Sequence, residues 1–245
     1  MSRDTEDSIR PLWQMATVLT LGLLMLAGFL WLGFWQVDRL AWKRQLIANV
    51  DERVHAAPID WAELTTQPPA QQEYRRVQVT GIFDHDKETL VQAVTELGGG
   101  FWVLTPMLTG SGKTVLVNRG FVPPEKRNAA ERAEGQISGP QTIVGLARLS
   151  EPGGAFLRSN NPSEDRWYSR DIDAIANARQ LDQPADFFID ADATPNPGGY
   201  PVGGLTVINF RNTHLSYALT WFALALMVAV GIVLLIRHEI SARRR

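Results

Sequence analysis

The side chains best suited to chemistry in this chain gather where its last apolar stretch begins. In the run Arg211-Asn212-Thr213-His214-Leu215-Ser216-Tyr217-Ala218-Leu219-Thr220-Trp221-Phe222, a cation, an imidazole, a phenol and an indole follow one another closely. On a helix, His214, Tyr217, Ala218 and Trp221 share one face at i, i+3, i+4 and i+7, and the small Ala218 leaves room between the rings. Neutral imidazole is a normal axial ligand for haem iron, aromatic side chains can bury a macrocycle, and a guanidinium can pair with its propionates. Arg211 is a candidate for that last role, as is Arg39 at the matching level of the first apolar stretch, where Trp35 adds an indole. A histidine at such a position also suits the headgroup region of a bilayer with no metal attached. Residue chemistry by itself favours this second reading.

The elements that must position these groups are membrane spans. Residues 11–37 and 215–236 carry no charge and are dominated by Leu, Ala, Val, Ile and Met. Each exceeds the roughly 20 residues that cross a hydrocarbon core of about 30 Å. The expected layout is an N-terminal tail at 1–11, a transmembrane helix at 12–37, a domain at 38–213 and a second transmembrane helix at 214–236. A basic tail follows at 237–245. The first run is too long for a signal peptide, and no small-residue cleavage pattern follows Gly33-Phe34-Trp35. Two spans put both ends on one side. Arg237, Arg243, Arg244 and Arg245 beyond the second span, against Arg211 before it, assign that side to the cytoplasm. The early acids Asp4, Glu6 and Asp7 do not suit a mitochondrial presequence, so a bacterial inner membrane with a periplasmic central domain is the expected address.

Trp35, Arg39, Trp42, Leu46 and Val50 recur at helical spacing, which predicts that the first span runs on as a helical extension over 38–57. Beyond Pro68-Pro69 the pattern changes to alternation with period two, giving strands at 74–83, 89–94, 101–108, 114–122 and 142–149. Gly98-Gly99-Gly100, Gly110-Ser111-Gly112, Pro123-Pro124 and Ser138-Gly139-Pro140 punctuate them. A short helix is expected over 171–180 with Asp171 as N-cap. Residues 187–189 and 205–210 are expected to complete the sheet, and 190–204 to form a long loop. The fold class is therefore two transmembrane helices flanking a mainly-β extracytoplasmic domain, an antiparallel sheet or small barrel with one short helix.

Several chemistries are excluded. The chain has no cysteine, which removes disulfides, thiol redox motifs and thiolate copper sites. A net charge of −2 and the lack of a basic stripe argue against nucleic acid. Gly110-Ser111-Gly112-Lys113-Thr114 is no phosphate loop, because Met107 stands where the first glycine belongs and a strand follows. Asp84-His85-Asp86 with Glu88 reads as a solvated turn, and Asp190 with Asp192 lacks the glycine and terminal glutamate of a calcium loop. Neither His55 nor His85 comes with a nucleophile-elbow pattern, so no enzyme active site is expected.

Five ordered blocks carry a resemblance. They are Gly33-Phe34-Trp35-Gln36-Val37-Asp38-Arg39-Leu40-Ala41-Trp42-Lys43; residues 74–83 with Gly81; residues 100–107 with Thr105-Pro106; Val117-Asn118-Arg119-Gly120-Phe121-Val122-Pro123; and His214 through Phe222. In these the chain resembles the surfeit-locus (Surf/Shy) family of cytochrome c oxidase assembly factors. The resemblance implies a non-enzymatic factor that aids maturation of oxidase subunit I, with bacterial members linked to binding haem a and handing it over. It maps the family's histidine onto His214 and its central Arg-Gly onto Arg119 and Gly120. Cofactor-binding candidates are then His214, as proposed axial ligand, with Tyr217, Trp221, Arg211, Trp35 and Arg39. Arg119, Gly120, Gln36 and Trp42 are candidates for structural or partner contacts, Arg119 through a carboxylate. Expected partners are oxidase subunit I, the haem a synthesis machinery and the lipid bilayer. Phe121 stands where Trp is common and Met107 where Leu is common. The rival reading is a scaffold that stabilises a subunit I intermediate without holding haem.

Overall fold

The computed structural model describes residues 11–155 and 157–244. The tail expected at 1–11 lies outside that range except for Pro11, as does Arg245 of the basic tail. The chain forms two compact units: a helical one made of the chain up to Ala48 and from Asn209 onward, and a mainly-β one from Asn49 to Ile208.

Helix α1 (Leu12–His55) is continuous over 44 residues, so the apolar run and its amphipathic continuation share one helix. At 1.5 Å per residue it measures about 66 Å, roughly twice the hydrocarbon thickness. No proline interrupts it, and Pro58 follows its end. After β1 (Ile59–Asp60) come two single-turn helices, α2 (Trp61–Leu64) and α3 (Pro69–Gln72). The strands β2 (Arg76–Phe83), β3 (Thr89–Thr95), β4 (Gly98–Thr109), β5 (Thr114–Val122) and β6 (Pro140–Leu149) precede α4 (Ile172–Arg179) and β7 (Pro184–Ala191). The last element is α5 (His214–Arg244). Both α1 and α5 are long and apolar enough to cross a membrane.

Five strands close into a barrel. β2 pairs antiparallel with β6, β6 with β7 and β5 with β4, while β7 and β5 run parallel. The ring shuts where Gly81 to Phe83 of β2 meet Met107 to Thr109 of β4. Gly81 permits that junction, since a Cβ there would lie 2.5 Å from the Leu108 carbonyl oxygen and 2.6 Å from Met107 Cγ. β1 and β3 add to the outside of β2 and β4.

Alternation along the strands sorts apolar residues onto two faces. Val77, Val79, Phe83, Met107, Val115, Val117 and Ile189 fill one core with Trp61 and Leu64 of α2. Leu104, Leu116 and Phe188 point to the other face, where Val91, Trp167, Ile172 and Ile175 cover them. β5 is buried at every position because both of its faces are covered. Asp171 caps α4 as its position suggested, accepting from the Ala174 amide at 3.1 Å, and Ile172, Ile175 and Ala176 form its buried face.

Three details differ from the sequence reading. Residues 205–210 join no ladder; barrel closure leaves β5, β6 and β7 flanked on both sides, so the segment finds no free edge. The loop expected from 190 begins after Ala191 because β7 extends to that residue. Gly98-Gly99-Gly100 opens β4 instead of separating strands, because Thr95 and Gly98 already close the hairpin around Glu96 and Leu97.

Gly120 carries a specific demand. Its φ is +128°, a Cβ would collide with the Val202 carbonyl, and the next residue, Phe121, exchanges two 2.9 Å backbone hydrogen bonds with Val202. Gly120→Ala is expected to destabilise the β unit by about 3 kcal/mol through strain and lost bonding. Tryptophan fluorescence during thermal unfolding of the full chain in detergent reads this as a lower midpoint; an unchanged midpoint would refute the constraint.

Candidate functional site

The site starts from a seam between α1 and α5. On α1 the covered positions Gly22, Leu26, Phe29, Gly33, Gln36 and Leu40 recur at alternating spacings of four and three. His214, Ala218, Trp221, Ala225, Val228 and Ile232 repeat the same rhythm on α5. That is the heptad pattern of a left-handed helix pair. Phe29 stacks on Trp221 with ring centroids 5.7 Å apart, and Phe34 meets Phe222 edge-on at 5.4 Å. The Phe222 ring occupies the space beside Gly33, where a Cβ would come within 2.6 Å of it. Small residues thus make room for large rings across the seam.

One layer of this seam is polar. Gln36 is 9 % exposed, and its Oε1 lies 2.7 Å from Nδ1 of His214 at the first turn of α5. An amide oxygen only accepts, so Nδ1 carries the proton and donates. Nε2 then holds the imidazole lone pair, the state a metal centre requires. Ala218, 2 % exposed, lies one turn further along α5 on the same stripe.

The structure brings together only part of the expected constellation. His214, Ala218 and Trp221 lie on the seam with Gln36. Tyr217 and Trp35 stand 53 % and 49 % exposed, off the seam on the outer faces of their helices. Arg39 lays its guanidinium over the Trp42 ring at 3.8 Å, and Arg211 is exposed ahead of α5. Sequence reasoning did not connect Gln36 to His214. The signal was there in the heptad that sets Gln36 in line with Gly33 and Leu40. Among the described residues no group of three or more His, Asp or Glu side chains is arranged to hold a metal ion. The donor at His214, an imidazole whose Nε2 meets no hydrogen-bond partner among the described residues, suits coordination of haem iron.

Arg119 belongs to the barrel and is 2 % exposed. Its expected carboxylate partner is absent among the described residues. Its NH2 donates instead to the Gly135 carbonyl and, at 3.2 Å, to Asn196 Oδ1, and the Phe83 ring lies 4.9 Å beneath it. NH1 lies 3.5 Å from His85 Nδ1, whose Nε2 sits 3.0 Å from the Ile137 carbonyl. His85 is therefore part of the barrel's internal bonding and not a solvated turn. Burial pushes the Arg119 pKa down to about 10; Glu88 acts in the opposite sense and Arg132 adds to the lowering. Glu88 is itself engaged by Arg132.

A second polar cluster surrounds Asp190 at the end of β7, 3 % exposed. Its carboxylate accepts from Asn118 at 2.7 Å, Arg170 at 3.0 Å, Thr206 at 3.0 Å and Arg148 at 3.2 Å. Burial alone would lower the Arg170 guanidinium, but Asp190 and Glu151 outweigh it and hold its pKa above the ordinary value. The cluster lines a cavity of about 430 Å³ with Trp102 and Val94. Its charges are matched internally, which marks it as a structural network.

Compared with protein families, residues 23–226 match the SURF1 family. The chain is similar to surfeit locus protein 1 of Rattus norvegicus, 41% identical over 211 residues that cover 79% of this chain and 67% of the rat protein. For the Homo sapiens protein the identity is 40% over 213 residues, covering 79% and 69%. A SURF1-like protein of Monosiga brevicollis is 39% identical over 208 residues, covering 79% and 78%.

Removing Arg119 is expected to release two loops at once. Arg119→Gln should cost about 2 kcal/mol, the scale for leaving buried carbonyls unpaired, and Arg119→Lys should not restore it because one ammonium lacks the planar fork. Hydrogen exchange should then rise at 129–136 and 195–202; protection unchanged in both segments would contradict the role.

Proposed function

This chain belongs to the SURF1 family, and from that premise we propose that it is a cytochrome c oxidase biogenesis factor that binds haem a and assists its insertion into oxidase subunit I. The observation that carries the haem reading is the His214 imidazole, with Nδ1 bonded to Gln36 at 2.7 Å and Nε2 left as a donor atom. When bound, haem would supply an iron centre that takes an imidazole nitrogen as ligand, and His214 is the residue that would provide it. Tyr217 and Trp35, exposed off the seam, are the rings that would cover a macrocycle, while Trp221 lies two turns along α5 from His214, stacked on Phe29. Arg39 and Arg211 are the cations suited to propionates.

A single imidazole suits a factor that must give up its cargo, because two strong protein ligands would hold it more firmly. The role is handover and not catalysis. The partners are subunit I and the machinery that makes haem a, reached within the bilayer that α1 and α5 are fitted to span. The arginines at 237 and 243–245 support cytoplasmic ends and a periplasmic β unit in a bacterial inner membrane.

A scaffold reading draws on one observation: Val94 and Leu97 at the β3–β4 hairpin are 86 % and 56 % exposed. Such apolar exposure suits a protein contact that needs no haem.

Protein purified in mild detergent from cells that make haem a separates the two. Oxidised and reduced absorption spectra are expected to show haem on the wild type, with loss or altered ligation in His214→Ala. A haem-free wild type, or unchanged spectra in the variant, would favour the scaffold.

A further inference from the structure

We infer that Gln36 is the positioning residue of His214: by accepting the Nδ1 proton it selects the imidazole tautomer whose Nε2 lone pair is free. The functional consequence rests on the haem-ligand reading above; the tautomer selection does not.

Three observations support the assignment. The 2.7 Å contact joins the only accepting atom of the Gln36 side chain to Nδ1 of His214. Gln36 is 9 % exposed on a stripe otherwise occupied by Gly33 and Leu40, so its amide has little access to water and a broken bond would leave a buried polar group unpaired. His214 begins α5, where the helix fixes its backbone and leaves ring orientation to its side-chain partner. An unrestrained neutral imidazole in water favours the Nε2–H form, which has no lone pair at Nε2. The amide oxygen reverses that preference, as the hydrogen-bond partners of metal-ligating histidines generally do.

The choice of an amide over a carboxylate has a further effect. A carboxylate at position 36 would draw the Nδ1 proton more strongly and make Nε2 a more basic ligand. It would also place a charge in an apolar seam, at a desolvation cost. The neutral amide orients the ring without strengthening the ligand to that extent, so a bond made through Nε2 stays breakable. Gln36 thereby links orientation to release.

The test uses the full chain in detergent micelles, ¹⁵N-labelled at histidine, free of haem, at a pH where imidazole is neutral. The chain has four histidines, and the His214 signals are identified by their loss in His214→Ala. Nitrogen–proton correlation spectra are expected to show His214 protonated at Nδ1 with a pyridine-type Nε2. Gln36→Leu should move the proton toward Nε2, while Gln36→Glu, which keeps an acceptor, should retain the wild-type tautomer. Hemin titration of the same samples should give 10- to 100-fold weaker binding for Gln36→Leu, and slower release for Gln36→Glu than for wild type.

A wild-type His214 protonated at Nε2, or a Gln36→Leu tautomer identical to wild type, would overturn the assignment. Should Gln36→Leu fail to fold, the wild-type tautomer and the Gln36→Glu release rate still decide it, an unchanged release rate counting against it. If the tautomers behave as stated but His214→Ala takes up hemin with wild-type affinity and spectra, the haem-ligand reading falls and Gln36 keeps its role in setting the tautomer.

Discussion

An amide and an imidazole, bonded across a seam otherwise made of Leu, Ala, Gly, Phe, Trp and aliphatic β-branched side chains, constrain the helical unit more than any other contact described in it. In a bilayer, packing between apolar helices is permissive, because sliding exchanges one set of dispersion contacts for another. The Gln36–His214 bond is not permissive. A shift of one turn would move the partners about 5.4 Å apart and strand both groups in an apolar layer. The bond therefore sets the register of α1 against α5, with Phe29 beside Trp221 and Phe222 beside Gly33. A single polar layer that fixes alignment is a known use of buried polar residues in helix pairs.

The mainly-β unit gains its definition in another way. Closure of the five-strand ring removes most free edges, and Gly81 makes the last junction sterically feasible. Two of the charged groups buried there are accommodated in different ways. Asp190 is matched by Arg148 and Arg170, a compensated network on the outer face of the barrel. Among the described residues Arg119 has no such counter-charge in contact and relies on carbonyl oxygens from loops far along the chain, at Gly135 and Asn196. Its charge is tolerated because the acceptors are fixed in place, and in return those loops are held to the barrel.

Much of this was legible in the residues. Charge-free runs at 11–37 and 215–236 marked the spans, the periodicity through Trp42 and Val50 marked the continuation of α1, and alternation marked the strands. The α4 cap was readable because an N-cap is a local bond from Asp171 to the next turn. What escaped were pairings between distant segments. The parallel contact of β5 with β7 and the closure of β2 on β4 leave no periodic trace, and the five-strand ring denied residues 205–210 the place in the sheet expected of them. At the site, His214 stood out by its position, but its partner lies 178 residues away. Only reading both apolar runs as facing heptads would have joined them. Among the described residues Arg119 meets carbonyl oxygens and no carboxylate, because composition signals charge but not which carbonyls a fold will aim inward.

The central claim is that His214 presents Nε2 as a ligand for haem iron. Pulsed electron paramagnetic resonance on the ferric haem-loaded protein, labelled with ¹⁵N at histidine alone, addresses it directly. The account expects hyperfine coupling from one histidine nitrogen in the wild type and its disappearance in His214→Ala. Coupling that persists in the variant, or none in the wild type, would contradict it.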